Sequence, residues 1–135
     1  MKCPRDQALL GLRSIEGHSG YRCPLCHGGW LPANFVQSLE YSGDFKYSVF
    51  TEAVAQSASN VTALVCPSGC GHLRAARFAD ISLSWCPSCQ GSWFDIGATG
   101  ELLAKFARRD TTLGKAVAAD AGFSVLLAVL GALFS

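Results

Sequence analysis

Seven cysteines, placed twice in nearly the same pattern, constrain this chain more than anything else in it. Cys3 and Cys66, Cys23 and Cys86, and Cys26 and Cys89 are each separated by 63 positions. Pro4 and Pro67, Pro24 and Pro87, Gly28 and Gly91, Trp30 and Trp93, and Leu39 and Leu102 keep the same offset. The phrase CPLCHGGW at Cys23–Trp30 returns as CPSCQGSW at Cys86–Trp93. An internal repeat of this kind governs every later reading. Each unit is roughly 35 residues long, too small to offset chain entropy with apolar burial alone.

Paired cysteines two residues apart supply the missing stabilisation if they hold a metal. The short spacing bends the backbone so that two sulfurs face one point, and two such knuckles complete a tetrahedron around zinc. Binding at a structural zinc site is worth on the order of 10 kcal/mol, enough to decide whether a small unit folds. The second unit offers a full set, Cys66, Cys70, Cys86 and Cys89, with three residues inside its first knuckle, CPSGC. The first unit offers Cys3, Cys23 and Cys26, and its first knuckle reads CPRD. Asp6 is the expected fourth ligand, because a carboxylate carries the charge of a thiolate and binds zinc, though it is harder than sulfur. The alternatives for that position are His18 or water, with Asp6 capping the knuckle turn. His27 and His72 read as surface residues. The expected cofactor is therefore Zn2+, two per chain.

The cysteine count is odd, and MKCPRDQALL lacks the apolar core of a signal peptide. A reducing, cytoplasmic setting with metal-bound thiolates is expected rather than a disulfide scaffold. Eleven basic and ten acidic side chains leave a formal charge of +1, which does not favour nucleic-acid binding.

Between the knuckles of each unit the pattern suggests a hairpin: Leu9–Ile15 with a turn at EGHSG, and His72–Phe78 with Ile81–Trp85 around Ala79-Asp80. Helical spacing follows each Trp, in PANFVQSLE and in ELLAKFARR. The expected fold is a small metal-stabilised α+β chain: zinc ribbon 1 over residues 1–40, a helical linker over 41–63, zinc ribbon 2 over 64–110 and an apolar helix over 111–135. In the linker, Asp44 is the expected cap of a helix carrying Phe45, Val49, Phe50 and Val54. Gly28 and Gly91 are expected where the chain turns sharply with positive φ. Trp30 and Trp93 are expected to shield the thiolates.

The pattern resembles the bacterial zinc ribbons of the transcription factor IIB type, whose second knuckle runs CPxCxGxWLDxGEL. The second unit matches it as CPSCQGSWFDIGATGEL. The first matches as CPLCHGGWLPANF and then departs, with Pro32 in place of the Asp. The resemblance covers roughly residues 1–40 and 64–107. It implies a zinc-ribbon fold and metal binding, and supports Asp6 as a ligand in relatives opening with CPxD.

The tail AGFSVLLAVLGALFS has fifteen residues without a charge, about 22 Å of helix. Extended back to Ala116 it reaches about 30 Å, the thickness of a bilayer core. Lys105, Arg108, Arg109 and Lys115 precede it, and basic residues there would keep the ribbons on the cytoplasmic side. The tail reads as a membrane anchor over 116–135 or as an apolar helix packed on the protein or on a second copy. The expected function is a non-enzymatic zinc-binding module acting through protein contacts. The alternatives are a nucleic-acid-binding ribbon, with Arg5, Arg13, Arg22, Arg74 and Arg77 meeting phosphates, and a thiol redox protein using CPLC or CPSC.

Overall fold

The computed structural model describes residues 1–15, 18–42, 45–97, 99–100 and 123–134. Within them the two units join in one antiparallel sheet. Its strands are β1 (Gly11–Ile15), β2 (His18–Arg22), β3 (Gly29–Leu31), β4 (Val61–Val65), β5 (His72–Phe78), β6 (Ile81–Trp85) and β7 (Ser92–Phe94), in the order β1-β2-β3-β7-β6-β5-β4. β1, β2 and β3 correspond to β5, β6 and β7 at the repeat offset. The sheet therefore reads outward symmetrically from the β3–β7 seam, where Trp30 lies opposite Trp93.

The hairpins have the short connections that antiparallel strands favour. Ile15 pairs with His18, so His18 belongs to β2 and not to the turn expected at EGHSG; residues 16 and 17 lie outside the described residues. Phe78 pairs with Ile81 around Ala79-Asp80, with Ala79 left-handed at φ 53°. The segment expected to be linker ends in β4, which lies on the outer edge of β5. The Val65–His72 pairing is matched in the first unit by the bridge between Lys2 and Leu9.

Alternation along the strands divides the sheet into two faces. Leu31, Phe78, Ile81, Leu83, Trp85 and Phe94 point to one face and are buried there under helices. Helix α1 (Ala33–Ser38) buries Phe35 and Val36, and the 3-10 turn Leu39–Ser42 buries Leu39. Helix α2 (Tyr47–Ser57) lies on β5 and buries Phe50 and Val54. Phe50 meets Phe78 edge-on, ring centroids 5.1 Å apart, a favoured aromatic geometry. Asp44 lies outside the described residues, and the N-terminal position of α2 is held by Lys46 without a side-chain cap. Glu40 instead accepts the Tyr47 N–H at 2.9 Å.

Helix α3 (Phe123–Phe134) packs against β1, β2, β3 and the 3-10 turn. Leu126, Leu127, Val129, Leu130 and Leu133 are buried, while Ala128 and Ala132 are exposed. Twelve residues make about 18 Å of helix. Among the described residues no helix is long and apolar enough to cross a membrane. The second-unit helix expected at ELLAKFARR and the tail residues 111–122 lie outside the described residues.

Candidate metal centre

The other face and the end of the sheet carry the cysteines. Cys3, Cys23, Cys66 and Cys86 form a buried cluster with Trp30, Leu73 and Trp93. Each cysteine pair is set by a backbone turn that the repeat copies. In the second knuckles, Cys23 donates its N–H to Gly28 O at 2.9 Å and Cys86 donates to Gly91 O at 3.0 Å. His27 and Gln90 then donate back to Cys23 and Cys86, each with a left-handed backbone, φ 65° and 63°. In the first knuckles, Cys3 donates to Ala8 O and Cys66 to Gly71 O, both at 2.7 Å.

These turns bring two sets of four donors together. Cys66, Cys70, Cys86 and Cys89 form one, and Cys3, Asp6, Cys23 and Cys26 the other, with all donor atoms of a set within 4.8 Å of one another. The sulfurs of Cys3 and Cys26 are 3.6 Å apart, and those of Cys66 and Cys89 also 3.6 Å. A disulfide would need about 2.05 Å. A tetrahedral metal with bonds of about 2.3 Å would place sulfurs about 3.8 Å apart, so this spacing suits a shared metal ion. Both Asp6 carboxylate oxygens lie 3.4 Å from Cys23 Sγ, the shorter separation expected of a mixed sulfur and oxygen pair. The sites could therefore hold two metal ions.

Backbone N–H groups already point at the sulfurs, as they would to stabilise thiolates. Arg5 and Ser68, corresponding residues, donate to Cys3 Sγ at 3.3 Å and Cys66 Sγ at 3.4 Å. Cys26 and Cys89 donate to Cys23 and Cys86, each at 3.4 Å. Without metal, burial pushes the Cys3 thiol up to about 12 and also raises Cys26 and Cys89. Burial opposes ionisation of Cys86 too, but N–H groups of Cys89 and Ser88 outweigh it and lower that thiol. The Ala8 N–H, 3.1 Å from Asp6, holds the Asp6 carboxyl below its usual range. Asp6 thus makes the turn-capping bond and faces the sulfurs at once.

The two first knuckles reach their fourth donor differently. Asp6 stands three residues after Cys3, and the left-handed residue is Gln7. Cys70 stands four residues after Cys66, and the left-handed residues are Gly69 and Gly71. The carboxylate reaches one bond further than a thiol, which suits the shorter spacing. His27 and His72 are exposed, outside either donor set.

Gly28 and Gly91 are not the left-handed residues expected from the sequence; that role belongs to their predecessors, His27 and Gln90. They are glycine because the tryptophan of the other unit lies on them. A Cβ on Gly28 would run into the Trp93 ring, with its Cη2 at 2.9 Å, and one on Gly91 into the Trp30 ring, with its Cη2 at 2.5 Å. Trp30 and Trp93 are fully buried and pack in one cluster with Cys3, Cys23, Cys66 and Cys86.

Arg5 and Asp95, a contact the sequence reading missed, cross between the units. Arg5 Nε and Nη2 donate to the two Asp95 oxygens at 2.5 and 2.7 Å. Asp95 Oδ1 also accepts the Trp93 indole N–H at 3.0 Å. Although burial opposes it, these bonds lower the Asp95 carboxyl, and Asp95 in turn raises the Arg5 guanidinium. The counterparts of Arg5 and Asp95 are Ser68 and Pro32, which cannot repeat the contact. The buried Trp30 indole N–H accordingly has no hydrogen-bond partner among the described residues. Of the arginines named in the nucleic-acid alternative, Arg5 is paired with Asp95 and Arg74 donates from Nη1 to Ser59 O at 3.2 Å. No family model, curated protein or solved structure matches the chain.

Proposed function

We propose that this chain is a non-enzymatic zinc protein whose two sites are structural and which acts through protein contacts. One observation carries the reading: two four-donor sets, related by the 63-residue repeat, each converge within 4.8 Å. Zinc is supported over harder divalent ions by seven sulfurs among the eight donors. A structural role is supported because protein donors fill all four positions, whereas catalytic zinc keeps one open. The resemblance to transcription factor IIB-type ribbons points the same way. The motif departs at Pro32, where among the described residues the Trp30 indole N–H has no hydrogen-bond partner. Exposed Leu9, Leu12 and Leu25 on the first unit are apolar surface that a protein partner would cover.

Native mass spectrometry and elemental analysis of the full chain test the reading. Two zinc ions per chain are expected, falling to one in Cys86→Ser and in Cys23→Ser. A metal-free, folded wild-type chain would reject it.

A further inference from the structure

We infer that the two metal sites load as a coupled pair, because each unit's tryptophan is locked by the other unit's metal knuckle. This rests on the metal-binding reading above and goes beyond it, since two structural sites in one chain need not influence each other.

The lock is reciprocal. Gly28 lies two residues after Cys26, a donor of the first site, and the Trp93 ring occupies the space over it. Gly91 lies two residues after Cys89, a donor of the second site, and the Trp30 ring occupies the space over that. Trp30 and Trp93 are also cross-strand partners at the β3–β7 seam and have no exposed surface. A knuckle that opens on losing its metal therefore removes packing from a tryptophan anchored four residues beyond a cysteine of the other site. Close-packed interiors transmit such a change because their side chains have few alternative arrangements.

The first site grips Trp93 with both knuckles. Its second knuckle supplies Gly28, and its first supplies Arg5, which holds the carboxylate that accepts the Trp93 indole N–H. Arg5 stands between the donors Cys3 and Asp6. The second site grips Trp30 through Gly91 without a counterpart to the ion pair, because Ser68 and Pro32 stand where Arg5 and Asp95 would be needed. The Arg5–Asp95 pair is partly exposed, and such pairs contribute little. The ring-on-glycine packing carries most of the coupling, and the ion pair adds to it.

Coupling free energy is reciprocal, which makes the inference testable from either side. The full chain is stripped and titrated with zinc against a chromophoric chelator, in wild type, Cys70→Ser and Asp6→Ala. Disabling the second site through Cys70 is expected to weaken zinc binding at the first by about tenfold or more. Disabling the first through Asp6 should weaken the second by the same factor. Each remaining affinity within about twofold of its wild-type value would overturn the coupling. Should either variant fail to fold, native mass spectra of wild type at one zinc per chain decide. The singly loaded fraction should be smaller in wild type than in Trp93→Phe, which loosens the lock and keeps all eight donors; an equal or larger fraction in wild type overturns the inference. Asp95→Asn, which keeps all eight donors, should still bind two ions with a coupling reduced by about threefold or less. A wild-type chain that takes up no zinc would instead sink the metal reading, so the two failures are distinguishable.

Discussion

Gly28, Gly91 and Pro32 are the residues at which small substitutions should have the clearest opposite effects. An added methyl at Gly28 or Gly91 meets an indole ring that is fully buried and cannot swing away. Overpacking of this kind costs about 1–3 kcal/mol, so Gly28→Ala and Gly91→Ala should each lower the midpoint of denaturant unfolding of the zinc-loaded chain. Pro32 stands where the second unit has Asp95, and among the described residues Trp30 Nε1 has no counterpart to the bond Trp93 makes. Pro32 is also the N-terminal cap of α1 and makes no side-chain cap bond. Pro32→Asp offers an acceptor to the indole N–H or to the first helical turn, and should stabilise by about 1 kcal/mol in the same unfolding measurement. The partner contrast gives a second check: Trp93→Phe removes a hydrogen bond that Trp30→Phe does not, and should cost about 1 kcal/mol more.

Among the elements, α3 is the one whose contribution the tail sequence left between two readings. Apolar residues run around the whole helix, as they do in a membrane span and in a fully buried helix. Its position over β1, β2 and β3 places Leu126, Leu127, Leu130 and Leu133 in the core, and Leu133 lies close above Gly20. Leu130→Ala should therefore cost about 2–5 kcal/mol of unfolding free energy, as a buried cavity does, measured by denaturant titration. An effect below 1 kcal/mol would show that the helix leaves this face in solution. At α2, Glu40 is the helix-capping residue, reached from seven positions earlier in the chain. Glu40→Ala should cost about 0.5–1 kcal/mol, visible as a lower thermal midpoint, because the Tyr47 N–H loses its acceptor.

At the scale of the molecule, two small units share one sheet, and on the proposed reading metal held by the two donor sets would set the conditions under which it holds. The thiols of Cys3, Cys26 and Cys89 are raised by burial, so the metal-free chain keeps these donors protonated at neutral pH. Metal uptake must release those protons, and affinity must therefore rise with pH across the neutral range and fall towards acid. Calorimetric titration with zinc in two buffers of different ionisation heat should show several protons released per chain. An uptake independent of buffer would contradict the raised thiols. Chelation should unfold the sheet around the seam, read as exposure of Trp30 and Trp93 to solvent in the fluorescence maximum.

The cysteine spacing and the 63-residue offset were enough to pick out the eight residues that converge in two clusters, because knuckle geometry is local and a few residues fix it; spacing alone left His18 or water beside Asp6 for the fourth position of the first. The hairpin turn at Ala79-Asp80 and the buried Phe35, Val36, Phe50 and Val54 were legible for the same reason, since periodicity records which side of an element meets the core; Val49 is exposed, and Phe45 is buried ahead of α2 rather than on it. The Gly-over-Trp lock, the Arg5–Asp95 pair and the seam between β3 and β7 were not, because each joins residues from different units that no local pattern connects. Sequence alone set what each unit could bind; only the tertiary structure decided that the units would be held to one another, through burial of two aromatic rings that neither unit could cover by itself.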